Sequence, residues 1–116
     1  MSFNLVWTTE ADSQFRKLQA VADQAFSARR LKEKTKSSKV EGLFKQLHKC
    51  ITLLKENPKH PGLQTHEYTS IEHPYESEQK VFEAYVQNNT PGAYRVFWCY
   101  GPKRGEITII TITPHP

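Results

Sequence analysis

The stretch Lys80–Pro116, KVFEAYVQNNTPGAYRVFWCYGPKRGEITIITITPHP, decides the fold. Three runs rich in aromatic and β-branched residues are joined by two turns. One turn holds Asn88, Asn89, Pro91 and Gly92, the other Gly101, Pro102 and Gly105. Branching at Cβ restricts χ1 and suits a pleated surface better than a helix. The pattern predicts a meander of three antiparallel strands.

Side chains alternate along a strand, so each run divides into two faces. Val81, Glu83, Tyr85 and Gln87 share one face of the first run, and Phe82, Ala84 and Val86 the other. In the second run Tyr94, Val96, Trp98 and Tyr100 form one row, and Arg95, Phe97 and Cys99 the opposite one. In the third, Ile110 and Ile112 oppose Ile107, Ile109, Thr111 and Thr113. The apolar row Phe82, Ala84 and Val86 suits packing against helices. One consistent assignment then puts Glu83, Tyr85, Arg95, Thr111 and His115 on the face away from them. A slip of one residue would reverse any strand.

The preceding chain reads as a cover for one face of that sheet. Phe3–Thr8 (FNLVWT) predicts a first strand at the sheet edge. Thr8 or Thr9 caps a helix, with Glu10 and Asp12 complementing its dipole. From there to about Lys34 the chain has no Pro or Gly. Phe15, Leu18, Val21 or Ala22, Ala25 or Phe26, and Leu31 recur at helical spacing. Ser38 with Glu41 has the form of a capping box. It opens a second amphipathic helix through Val40, Leu43, Phe44, Leu47, Cys50, Ile51 and Leu54, which Asn57-Pro58 ends. The segment 60–79 is irregular, too long for a simple connection, and carries His60, His66 and His73. Their spacing fits no metal-ligand pattern, so no metal site is expected.

A chain of 116 residues with 37% hydrophobic residues builds a single domain, 1–116, with a real core. No apolar run approaches the roughly 20 residues needed to span a bilayer. No basic segment followed by an apolar core opens the sequence. These features predict a soluble cytoplasmic protein without a membrane partner, in which Cys50 and Cys99 are reduced and buried. The net charge of +4 is local: Arg29, Arg30, Lys32, Lys34, Lys36 and Lys39 cluster with Glu33 as the only acid among them. Such a patch serves as a phosphate-binding surface, a dock for an acidic partner, or a solvated helix end.

Arg95 is the sharpest chemical signal. It lies in the most hydrophobic strand, beside Tyr94, Val96, Phe97 and Trp98, and a guanidinium there needs an anion. That anion is either an internal carboxylate such as Glu83 or a ligand phosphate. His115, in TPHP, is a general acid or base near neutral pH, or merely an exposed terminal residue. Together Arg95 and His115 fit phosphodiester cleavage by an RNA 2′-hydroxyl. Arg95 would stabilise the phosphorane, His115 would protonate the leaving 5′-oxygen, and Glu83 or Tyr85 would take the 2′-hydroxyl proton. Phe97 and Tyr85 could stack on a base.

At these residues the chain resembles toxins of the RelE/ParE superfamily of bacterial type II toxin–antitoxin systems. LVWTTEADSQFRKL is similar to that family's first strand and helix, NPKHPGLQTHEY to its link into the sheet, and GAYRVFWCYGPKRGEITIITITPHP to its last strands and tail. The resemblance covers nearly the whole chain and rests on the order of elements with the YRVFW strand. It implies an α+β fold, β-α-α-β-β-β, with a helical hairpin on one face of a small, mainly antiparallel four-stranded sheet. It also implies a cognate antitoxin as partner. RelE-, YoeB- and HigB-like members cut mRNA, many of them on the ribosome and without a cofactor, whereas ParE-like members act on DNA gyrase. An arginine in the third sheet strand contacts the scissile phosphate in the nuclease branch, and Arg95 matches it. His115 matches the place of a C-terminal general acid. RelE has lysines on the second sheet strand, where this chain has Glu83 and Tyr85 with Lys80 at its start. Glu83 is thus the first candidate base, with His66 and Glu67 as alternatives. In such proteins the helical hairpin contacts ribosomal RNA or antitoxin, roles open to Arg29, Arg30, Lys32, Lys34, Lys36 and Lys39. Lys80 and Phe97 complete the expected RNA contacts.

Overall fold

The computed structural model describes residues 2–87 and 92–114. His115, the expected general acid, therefore lies outside the described residues, as do Asn88, Asn89 and Pro91 of the first turn. The elements run β1 (Asn4–Trp7), α1 (Thr9–Leu31), α2 (Lys39–Glu56), a 3₁₀ turn (Pro61–Leu63), β2 (His66–Glu67), β3 (Phe82–Tyr85), β4 (Tyr94–Tyr100) and β5 (Glu106–Pro114). They form one sheet of order β1-β5-β4-β3-β2, parallel between β1 and β5 and antiparallel elsewhere. The sheet has five strands rather than four. The extra one, β2, comes from the irregular segment, whose two residues pair with Glu83 and Phe82.

Local chemistry sets both helices. Thr8 caps α1: its hydroxyl oxygen accepts from Ala11 N at 3.0 Å and its hydroxyl proton goes to the Ile110 carbonyl at 2.6 Å. One side chain thus starts the helix and fixes it to the sheet. Ser38 and Glu41 form the expected capping box of α2. Glu41 also receives Arg29 Nε at 2.8 and 3.0 Å, and Arg29 donates to the carbonyls of Lys34 and Thr35. Arg29 is therefore a brace of the helical hairpin rather than a free cation. The first helix stops at Leu31, three residues short of the expected Lys34, where Glu33 takes a left-handed turn at φ 55°.

The core lies between the hairpin and one sheet face. Ala11, Leu47, Cys50, Ile51 and Leu54 meet Ala84, Val86, Val96, Trp98, Ile107, Ile109 and Ile112. This is the face expected for β3 and β4. For β5 the alternation breaks. Trp98 faces Ile109 and Phe97 faces Thr111, so Ile110 is an extra residue opposite their junction. The bulge shifts parity, and Ile107 and Ile109 join Ile112 in the core instead of opposing it. The bulged carbonyl is the one that Thr8 holds.

Candidate active site

The second sheet face carries the predicted chemistry, but it is not open. Arg95, Glu83 and Phe97 are each 1% exposed. The segment 64–80 folds across them as a strap. Tyr68 lays its ring on Phe97, centroids 4.6 Å apart. The Tyr75 hydroxyl meets Thr108 Oγ1 at 3.0 Å. His73, itself buried, accepts the N–H groups of Tyr75 and Glu76 at Nδ1, so its hydrogen sits on Nε2 and is donated to the Tyr100 carbonyl at 3.1 Å. The strap follows from chemistry already in its sequence: two tyrosines and two histidines supply apolar rings with polar tips, which settle on a sheet while satisfying its edges.

Two clusters lie at the strap's entry. In the first, His66 Nε2 is 2.6 Å from the buried carboxylate of Glu83, its cross-strand neighbour. The other ring nitrogen, Nδ1, is 3.0 Å from the Gln64 carbonyl. Both partners are acceptors, so the ring can donate from either nitrogen. In the second cluster, the Arg95 guanidinium lies over the Tyr85 ring, its Cζ 3.7 Å from the centroid. Its Nη1 donates to the carbonyls of Gln87 at 3.2 Å and Tyr94 at 2.9 Å, while Nε is buried without a partner. Of the two anions open to Arg95 from the sequence, Glu83 does not sit directly across from it, because the register sets Arg95 opposite Tyr85 and Glu83 opposite Phe97. Among the described residues no carboxylate lies at ion-pair distance from Arg95. Tyr85 joins the clusters, since the His66 ring meets its edge at 5.7 Å.

The other predicted site residues are dispersed. Phe97 is unavailable for stacking on a base, because Tyr68 already occupies its ring. Thr111 is in register with Phe97, but its hydroxyl is engaged with Gln14 of α1. Lys80 is exposed and 3.8 Å from Glu67. Arg30 sits beside Phe26, with Lys32, Lys34, Lys36 and Lys39 exposed around the hairpin turn, well apart from the strap in sequence and element. His60, His66 and His73 serve three separate places: the 3₁₀ turn, Glu83 and the Tyr100 carbonyl. Cys50 and Cys99 are both buried, and burial pushes their thiols up to about 12 and about 11. Sequence reasoning missed Tyr68 and Tyr75. Their signal was an aromatic pair inside a segment otherwise rich in turn residues.

Neither a protein-family model nor a curated protein matches the sequence. Solved structures do match the fold. A chain of the archaeal RelE-RelB complex from Pyrococcus horikoshii OT3 superposes with a TM-score of 0.56 at 11% identity, over 98% of this chain and 96% of that one. The YoeB/ParE toxin from Agrobacterium tumefaciens gives 0.57 at 12% identity, over 97% and 99%. The chain shares the fold of these two proteins. At these identities the likeness extends to architecture, and the site chemistry stands on this chain's own residues.

Proposed function

We propose that this protein is the toxin of a type II toxin–antitoxin module, inhibiting translation by metal-independent endonucleolytic cleavage of mRNA on the ribosome. The observation that carries this reading is Arg95. A guanidinium in an apolar strand, 1% exposed, with an unpartnered Nε and no carboxylate beside it among the described residues, is a cation held ready for an anion from outside. A scissile phosphate supplies that anion once the Tyr85 ring swings aside. The 2′-hydroxyl proton passes to the Glu83–His66 pair as the oxygen attacks phosphorus. Arg95 stabilises the phosphorane charge, and the 5′-oxygen leaves with a proton from His115. The partner is a cognate antitoxin, as in the RelE-RelB complex whose fold this chain shares. The cytoplasm is where such a partner and ribosomes meet.

One observation favours a second reading, a ParE-like toxin that binds a protein target such as DNA gyrase. The strap closes the face that a nuclease would present, leaving Glu83, Arg95 and Phe97 all 1% exposed. Inducible expression in a bacterial host with primer extension on a reporter mRNA separates the two. The nuclease reading expects growth arrest with in-frame cuts in the wild type and loss of both in Arg95→Ala and His115→Ala. Growth arrest with intact mRNA transfers the conclusion to a protein target.

A further inference from the structure

We infer that the cleft between α2 and the edge of β3 is a subsite for one base of an RNA strand whose phosphate meets Arg95; this rests on the ribonuclease reading above. The cleft holds about 200 Å³ over an apolar floor of Cys50, Leu53 and Leu63, with Lys49, His60 and Tyr85 at its rim. That space suits a planar base and leaves ribose and phosphate outside. No carboxylate lines the cleft. Lys49 has no ion pair among the described residues. His60 Nδ1 accepts the Gly62 N–H at 2.9 Å, so the neutral ring carries its hydrogen on Nε2 as a second donor. An apolar floor under a rim of cation and donors selects a flat ring attached to an anion, which is what a nucleotide offers.

Tyr85 ties the cleft to the chemistry. It lines the cleft and also carries the Arg95 guanidinium 3.7 Å from its ring centroid. Among the described residues strand β2 pairs only with Phe82 and Glu83, and no strand pairs with that edge of β3 at Tyr85. A strand of RNA crossing that edge places a base on one side of Tyr85 and the adjoining phosphate on the other. The rim is also built: a Cβ on Gly62 would stand 3.0 Å from His60 Nδ1 and 3.1 Å from Cε1, so the imidazole keeps its place only over glycine.

The test uses the full chain and a fluorescent RNA pentanucleotide, 2′-O-methylated throughout so that it cannot be cut. Each base in turn is replaced by an abasic residue, and affinity is read by anisotropy. Stacking and donor contacts to one base predict that one abasic position binds about tenfold more weakly than the intact strand. Gly62→Ala, which displaces His60, and Leu53→Phe, which fills the floor, should each bring that ratio to within about twofold. Two variants are used so that one survives if the other fails to fold. An intact strand no tighter than every abasic one, with binding still lost in Arg95→Ala, overturns the subsite and leaves the ribonuclease reading standing. Retention of the tenfold ratio by a folded variant also overturns the subsite. Absence of any binding to the free strand overturns the subsite, and the ribonuclease reading is then decided by the primer extension described above.

Discussion

Replacing His66 by Ala and Glu83 by Gln, singly and together, measures what fastens the strap to the sheet. The two side chains meet at 2.6 Å. A hydrogen bond to a charged group contributes about 1.5–3 kcal/mol. Glu83 is 1% exposed and His66 49%, so solvent screens the imidazole end of the pair. Screening of that size brings the expected coupling to about 1–1.5 kcal/mol. Urea unfolding followed by the fluorescence of Trp7 and Trp98 gives the double-mutant cycle. With a slope of about 1–3 kcal/mol per molar for a small domain, the coupling moves the midpoint by about half a molar. The single variants should be unequal. His66→Ala takes a partner from a buried carboxylate, whereas the Glu83→Gln amide oxygen still accepts from the imidazole. A coupling under about 0.3 kcal/mol, the range of independent sites, would refute the pair as the fastening.

Three further outcomes follow from the geometry. Tyr68→Ala removes the ring that covers Phe97, which should lower stability by about 1–2 kcal/mol and speed proteolytic cleavage within 69–79; an unchanged cleavage rate means that another contact holds the strap. Hydrogen bonds from the Ser38 backbone and from Arg29 hold the Glu41 carboxyl below its usual value, so its stabilisation is complete above the ordinary carboxylate range and is lost as pH falls through the lowered value. Wild type should therefore exceed Glu41→Gln in stability at pH 7, with the gap closing below about pH 4.5, and a gap that grows on acidification contradicts the assignment. Burial raises the Cys50 and Cys99 thiols to about 12 and about 11, so at pH 8 neither should react with a thiol reagent until the chain unfolds. Rapid native-state labelling would mean that the core opens locally.

The sequence by itself determined the elements and most of their faces, because those depend on neighbours in the chain. Thr8 and the Ser38–Glu41 box announce their helices through hydrogen bonds spanning three residues, and Asn57-Pro58 ends the second for a backbone reason. Alternation assigned Glu83, Tyr85 and Arg95 to the face away from the helices, since period two needs only the local pleat. Tertiary structure decided the rest. The bulge at Ile110 answers to Thr8, 102 residues away, and it reversed the expected faces of Ile107 and Ile109. Glu83 takes His66 rather than Arg95, and Phe97 lies under Tyr68, because residues 64–80 return across the sheet. That return has no period and no cap to mark it. It exists only when two tyrosine rings and two imidazoles find a complementary surface, and the surface does not exist until three distant strands have paired.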